Sequence, residues 1–344
     1  MNKNDFATAV KFEVANYLKQ REKIGNSSAI ICFILISLAL FTIYYALLFV
    51  SMESYVRIPL LILMGMTMTL AGVHIMHEGT HGNLFKTKKA NLFATYLYEI
   101  ILCFSSEQYK LRHVRVHHKM TNLKTMDYDL DTNGLLRLSP HFPKKKFHRF
   151  QWLYFPFLYC IGILFISYLD DLKRLAISKV GEFEHSKWSL GQIISQLLFK
   201  ALHVYMFIIY PLKYFALADI LSCYLLVYFI GSFGIAMIFQ VSHVNSLVDF
   251  PDIMEDKSDL TYQMLTTANY APNSKLVLFL TGGVNLQIEH HLFPSIPFRE
   301  LSEIQKIVKK TAHKFSVPYY EFDSYFSALK NHIRFLRFLG NKKD

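Results

Sequence analysis

The chain has 344 residues, a formal net charge of +11, a sequence pI near 9.3 and 52% hydrophobic residues. A water-soluble domain of this length does not need so much apolar sequence, nor does it gather that sequence into uncharged blocks. The basic residues flank those blocks, which turns the charge away from nucleic acid as a partner and towards a multi-pass integral membrane protein.

Residues 1–27 read as a cytoplasmic amphipathic segment. A helix from 4 to 23 puts Phe6, Val10, Val14, Tyr17 and Leu18 on one face, expected to lie on the membrane surface. The first 25 residues hold no short apolar core with a small-residue cleavage site, so no signal peptide is expected to be removed. Residues 28–50 then run without a charge for longer than the about 20 residues that cross a bilayer, and 58–76 do the same. Lys3, Lys11, Lys19, Arg21 and Lys23 precede the first span, while the link to the second holds only Arg57, balanced by Glu53. Lys110, Arg112, Arg115, Lys119, Lys144, Lys145, Lys146 and Arg149 follow the second span. The positive-inside bias places both termini and this long middle loop in the cytoplasm.

Residues 91–104 are too short to cross and contain Glu99, so a buried or interfacial helix is expected. Residues 151–169 are long enough to cross, and so are the apolar stretches 202–218 and 220–242. Three crossings would separate the earlier histidines from the later ones. Pro156 and the early aromatic cluster mark 151–169 as an interfacial helix or shallow hairpin. The expected fold is therefore all-α and integral to the membrane, with four transmembrane helices, interfacial helices and a cytoplasmic helical cap. The membrane domain spans 28–298, and the cap, 299–344, belongs to it. Within the cap Leu301, Ile304, Ile307, Val308 and Phe315 form a helical stripe, and a basic-aromatic helix ends near Gly340. Cys32, Cys103, Cys160 and Cys223 lie in apolar segments without metal-like spacing and read as small buried residues.

The chemistry concentrates in three clusters. His77-Glu78-Gly79-Thr80-His81 ends the second span, and positions i and i+4 share a helix face, so both imidazoles can address one metal. His113-Val114-Arg115-Val116-His117-His118 repeats that spacing and adds an adjacent histidine. Gln287-Ile288-Glu289-His290-His291 puts Gln287 on the face of both its histidines, and His243 closes the last span. A lone histidine at a membrane edge is ordinarily a polar anchor. Eight of them, at cytoplasmic ends of apolar segments, read as a ligand set. Imidazole suits iron, zinc, copper or nickel. Eight nitrogens exceed what one tetrahedral or octahedral ion takes, so two metals follow.

Three rival readings start from the same residues. His77-Glu78-x-x-His81 also fits the motif of a membrane zinc metallopeptidase, in which the glutamate is general base; that reading leaves the second and third clusters unexplained. The Glu-x-x-His pairs Glu78/His81 and Glu182/His185 suggest a ferritin-like carboxylate site, which needs two more glutamates in a four-helix bundle. A bis-histidine haem needs histidines facing each other within the bilayer, whereas these sit at segment ends.

The clusters resemble the three histidine boxes of the membrane fatty-acid desaturases. The likeness runs over roughly residues 70–320, and it includes Thr121, Asn122, Asp127 and Asp129 after the second box and the run Gly282-Gly283-Val284-Asn285-Leu286 before the third. A glutamine opening the third box is similar to front-end desaturases, which insert a double bond between an existing one and the carboxyl end. The resemblance implies an O2-dependent fatty-acyl desaturase, with a hydroxylase or acetylenase as the alternative on the same scaffold. It implies two iron ions (Fe2+) held by His77, His81, His113, His117, His118, His243, His290 and His291, with Gln287 a weak or outer ligand. Removing hydrogen from an unactivated methylene needs a strong oxidant, and neutral imidazoles hold two metals without cancelling their charge. Glu78, Asp127, Asp129 and Glu289 are candidates to fix the rings by accepting from their other nitrogens, and Asn285 either joins them or caps a helix. Two departures stand out. Glu78 occupies a position where the family usually has aspartate. No His-Pro-Gly-Gly stretch of a fused cytochrome b5 occurs, so a separate donor such as ferredoxin or cytochrome b5 is expected. The acyl substrate, linked to coenzyme A, a carrier protein or a membrane lipid, is expected in an apolar tunnel between the spans. Its head group would lie near Arg112, Arg115, Lys119 or Lys144–Lys146, charges that the positive-inside bias alone also explains.

Overall fold

The computed structural model describes residues 3–21, 27–253 and 260–342, so Lys23, one of the basic residues before the first span, lies outside the described residues. The described chain is mostly helical. It also contains two short strand pairs, Lys179–Val180 antiparallel to Phe183–Glu184 and Asn269–Tyr270 parallel to Glu321–Phe322, which an all-α expectation omits.

Among the described residues, five helices are long and apolar enough to cross a membrane: Ala29–Phe49, Ser54–His81, Lys146–Ala176, Leu190–Lys213 and Leu217–His243. The sequence leads to four; the additional candidate is Lys146–Ala176, which contains the ambiguous stretch 151–169. Ser54–His81 and Leu217–His243 lie side by side because small residues let their backbones approach. A Cβ at Gly65 would stand 2.8 Å from the Val227 carbonyl oxygen, and one at Gly234 would overlap Thr69 Oγ1. Lys146–Ala176 leans on the same helix through an inserted hydroxyl: Ser232 Oγ donates to the Tyr159 carbonyl (2.6 Å) and accepts from the Ile163 N–H (3.0 Å). Tyr159 and Ile163 are i and i+4 partners, so the serine takes the place of one rung of the helical ladder.

The ends of these helices bear on the histidine-rich loop. At the start of Lys146–Ala176, Gln151 accepts from the Arg137 N–H (2.8 Å) and donates to the Arg137 carbonyl (3.1 Å). Near its other end, Asp170 accepts from Tyr128 Oη (2.8 Å). Leu190–Lys213 begins beside that loop, with Gln192 on Glu107 and Gln196 on Gln108. It then runs to Phe207, whose ring lies 5.1 Å from Tyr44 in the second half of the first span. The short helix Lys88–Leu102, capped by Thr87, is the buried helix expected over 91–104; it packs on the start of Leu190–Lys213 and buries Glu99. The four cysteines are all free; Cys103 is buried and the others are half-buried.

The amphipathic helix Lys3–Arg21 takes a different role from the one its stripe suggests. Phe6, Val10 and Val14 are buried, and they share a core with Leu301, Ile304, Val308 and Ala312 of the helix Leu301–Lys314. An apolar stripe gains the same transfer free energy against protein as against lipid, and periodicity does not distinguish the two. Leu286 and Ile288, on either side of Gln287, complete that core, so the two terminal segments back the third histidine cluster.

Candidate metal centre

Departures from regular α-helix present the histidines. Ser54–His81 widens into a π turn over Gly72–His77, resumes as Glu78–His81 and stops at Gly82, whose φ of +82° needs glycine. Gly79 lies against the helix Lys88–Leu102, where a Cβ would meet Thr95 Cγ2 at 2.7 Å, and this close approach turns His77 and His81 towards the centre. The second cluster rides on a π turn, Lys110–Val116, followed by a 3-10 turn, His117–Lys119. The third occupies the short helix Gln287–Leu292, and His243 is the last residue of its span.

All eight candidate histidines converge, in two adjoining groups. The ligand atoms of His77, His81, His113, His118 and His290 lie within 4.8 Å of one another, and so do those of His117, His243 and His291. The groups meet where the His118 and His291 rings stand 4.3 Å apart. The partition differs from what α-helical spacing suggests. His113 and His117, four residues apart, fall in different all-histidine groups, although a nitrogen of each also lies within 4.8 Å of the other and of an Asp129 oxygen, and His113 faces His118, with their Nε2 atoms 3.2 Å apart. A π turn places i and i+5 on one face, which an assumption of α geometry misses. Likewise Gln287 Nε2 lies beside His243 Nε2 (2.7 Å) and His291 Nε2 (3.2 Å), while His290 turns to His77 (3.1 Å).

These spacings fit a metal. Two nitrogens each about 2.1 Å from one ion stand roughly 3.0–3.4 Å apart at octahedral or tetrahedral angles, and the His77–His290 and His113–His118 pairs stand at 3.1 and 3.2 Å. Among the described residues, His81 Nε2 is buried without a hydrogen-bond partner, as is Nδ1 of His118. Burial first, and neighbouring imidazoles second, hold His113, His118, His290 and His291 well below the usual histidine pKa. They are therefore neutral near pH 7, the form that binds metals. His117 is the contrast. Burial opposes its protonation, but the hydrogen-bonded Asp127 carboxylate and the nearby Asp129 together outweigh burial and push the pKa up to about 9.

The partners of the rings follow the sequence expectation at one residue and depart from it at others. Asp127 receives the His117 Nδ1 proton, with both carboxylate oxygens 3.0 Å away. Asp129 is 3.6 Å from the same nitrogen, and its side chain is largely solvated. Glu78 points elsewhere: it accepts from the Phe298 N–H (3.2 Å) and stays 3.9 Å from His77 Nδ1, beyond hydrogen-bond reach. A glutamate so engaged is not placed as the general base of a peptidase. Glu289 accepts from Asn269 and Tyr319 (both 2.8 Å), tying the third cluster to the strand pair. Asn285 donates to the Tyr270 carbonyl (3.1 Å) and neither caps the helix nor touches a ring. Glu182 and His185 lie in and after the small hairpin, where His185 donates to the Ser186 carbonyl, away from both groups. Arg112 is buried on Asp170 and so is not available to a phosphate.

One ring partner carries no signal in the sequence. Gln263, on the helix Leu260–Thr266, accepts from His291 Nδ1 (2.9 Å), and Thr121 lies 3.1 Å from the same nitrogen. Nothing near Gln263 points to metal chemistry, because its segment holds no histidine or cysteine. Asn122 supports the site from the backbone side. Its side-chain amide donates to the His243 carbonyl (3.0 Å), fixing the end of that span.

The probable Delta(5) fatty acid desaturase C of Dictyostelium discoideum is 29% identical over 100% of this chain and 78% of its own length. An acyl-lipid (8-3)-desaturase of Physcomitrium patens is 28% identical over 98% of this chain and 72% of its own. An sn-1 linoleoyl-lipid 6-desaturase of Arthrospira platensis is 28% identical over 80% and 76%. The fatty acid desaturase family profile matches residues 53–323, a stretch that holds all three histidine clusters and His243, and on that match the chain belongs to the fatty acid desaturase family.

Proposed function

We propose that this protein is an O2-dependent acyl-lipid desaturase that holds two iron ions between its histidine groups. The observation that carries the reading is the convergence of eight buried or half-buried imidazoles into two adjoining sets of ligand spacing. One ion would be held by His77, His81, His113, His118 and His290. The other would be held by His117, His243 and His291, with the Gln287 amide beside it. When bound, the iron pair would activate O2, the oxidant that removes two hydrogens from adjacent methylenes, with two further electrons from the donor reducing the O2 to water. The chain's own work is placement. Asp127 fixes the His117 ring, and Gln263 fixes that of His291, so each presents Nε2 to the metal. The names of the relatives, among them an acyl-lipid and a linoleoyl-lipid desaturase, favour a lipid-linked acyl chain.

An apolar cavity of about 720 Å³, including its open mouth, supports the acyl reading. Its walls include Tyr44, Leu61, Met64, Met68, Ile101 and Tyr228. Met68 precedes His77 on one helix by nine residues, a drop of about 13 Å at the α-helical rise. The cavity walls and Tyr109 belong to one apolar core, and the Tyr109 ring stacks on His113 at 5.0 Å. An acyl chain would therefore pass from the histidines into apolar surroundings.

The membrane arrangement we infer has four crossings, with the histidines on the cytoplasmic side. Its support is that both ends of Lys146–Ala176 contact the same histidine-rich loop, through Arg137 at one end and Tyr128 at the other. Leu190–Lys213 instead runs from Glu107 to Tyr44 and so leaves that face. Electrons would come from a separate donor, with Arg115 and Lys119 exposed beside the second cluster to receive an acidic one.

Expression in a host of defined lipid content, with mass spectrometry locating new double bonds, tests the activity. A hydroxylated or acetylenic product would move the reading to the other chemistry of this scaffold. Metal analysis of the purified protein tests the site, with two irons per chain expected; one zinc and no iron would overturn it.

A further inference from the structure

We propose that Asp170 is a positioning residue that clamps the two histidine groups to one another. It lies far from the three clusters in sequence, near the end of Lys146–Ala176, and is 5% exposed. Its two oxygens serve different arms. Oδ2 accepts from Arg112 Nη1 (3.2 Å), and Arg112 precedes His113 on the π turn. Oδ1 accepts from Tyr128 Oη (2.8 Å), and Tyr128 follows Asp127, the carboxylate that holds His117. The first arm ends in the five-histidine group and the second in the three-histidine group. A single carboxylate thus fixes the backbone beneath one ring and the ring partner of the other.

The surroundings hold this carboxylate in place. Arg174 Nε donates to Oδ2 (2.8 Å), and its guanidinium lies 3.9 Å from the centre of the Tyr128 ring, which holds that arm in place. The neighbouring Asp171 takes Lys200 (3.0 Å) and the Ser105 N–H (2.7 Å). Lys200 belongs to the adjacent helix Leu190–Lys213, so the clamp is anchored to a second element. Three cations, Arg112, Arg174 and Lys200, meet Asp170 and Asp171 in a buried cluster where each charge has a hydrogen-bonded partner.

This inference rests on the two-metal reading, and metal uptake by the full-length, metal-stripped protein in detergent separates the two. Cobalt(II) serves as the probe, read by its visible absorption, with circular dichroism to follow the fold. Wild type should take two ions. Tyr128→Phe removes the hydroxyl of one arm and keeps the ring under Arg174, so the fold should survive. It should weaken one of the two ions about tenfold, the scale of losing a group that orients a metal ligand, and leave the other within about twofold. Asp170→Asn should do at least as much. Gln196→Leu, which breaks a neighbouring hydrogen bond to Gln108 and touches neither arm, should change neither ion. Wild-type affinity for both ions in a folded Tyr128→Phe overturns the clamp alone, and so does an equal loss in Gln196→Leu. Fewer than two ions in wild type overturns the two-metal reading and the clamp with it.

Discussion

Replacing Asp127 with asparagine isolates the carboxylate that hydrogen-bonds the His117 ring of the candidate site. Asp127 accepts from His117 Nδ1 with both oxygens at 3.0 Å, from the Asn122 N–H (2.8 Å) and from the Asp129 N–H (3.0 Å). Asparagine keeps one carbonyl oxygen and turns an NH2 towards a group that is itself a donor. A hydrogen bond to a charged partner contributes about 1.5–3 kcal/mol and one to a neutral partner about 0.5–1.5. The difference, about 1–1.5 kcal/mol, corresponds to a loss of roughly five- to twelvefold in the hold on the metal at His117. Losing an acceptor for one backbone N–H adds about 1–3 kcal/mol of instability. Metal titration of the purified variant should therefore show one ion weakened by that factor, with product formation lowered in step at limiting iron. Asp129→Asn, at a half-exposed carboxylate 3.6 Å from the same nitrogen and beyond hydrogen-bond reach, should cost less. Equal effects of the two substitutions, or two tightly held ions in Asp127→Asn, would refute the assignment of Asp127 to His117.

His77→Ala, His117→Ala and His291→Ala should each abolish product at unchanged protein abundance. His74→Ala should keep most activity, because His74 donates to the Phe279 carbonyl (2.7 Å) outside both groups; equal loss in all four would mean the ligand set is drawn wrongly. Gly79→Ala should lower thermal stability by about 1–3 kcal/mol through the clash with Thr95 Cγ2, and the further change Thr95→Ala should restore most of it. Reporters near residues 125, 185 and 320 should all read cytoplasmic and one near 54 outside. An outside reading at 185 would make Lys146–Ala176 a crossing, and one at 320 would separate the clusters and end the single-site reading.

Much of this fold is legible from the sequence because its signals are coarse. Uncharged blocks near bilayer length identify 28–50 and 58–76, and the structure has helices there. The segment 151–169 is harder, since hydropathy scores composition and not direction. What speaks for its direction is a set of contacts distant in sequence, Gln151 on Arg137 and Asp170 on Tyr128. The stripe Phe6, Val10, Val14 carries a similar ambiguity. Its period reveals an apolar face, but only the matching stripe at Leu301, Ile304 and Val308 shows that the face meets protein.

At the site, residue types are easier to find than their arrangement. Histidine is rare beside apolar spans, so eight of them stand out, yet their division between two metals depends on backbone that departs from the α-helix. Spacing of i and i+4 pairs His113 with His117, whereas the π turn pairs His113 with His118 and releases His117 to His243 and His291. The same limit explains the carboxylates. Glu78 and Glu289 are next to histidines in sequence, but a neighbour at i+1 points to another side of the helix, and both are taken by distant partners, Phe298 for one and Asn269 with Tyr319 for the other. Asp127 reaches its ring because the loop after the second cluster folds back through successive turns, with the Leu123 N–H on the Met120 carbonyl and the Asp127 N–H on the Leu123 carbonyl. Gln263 and Asp170 arrive from segments outside the three clusters. The groups that orient the rings come from outside the motifs, and their identity therefore depends on the fold.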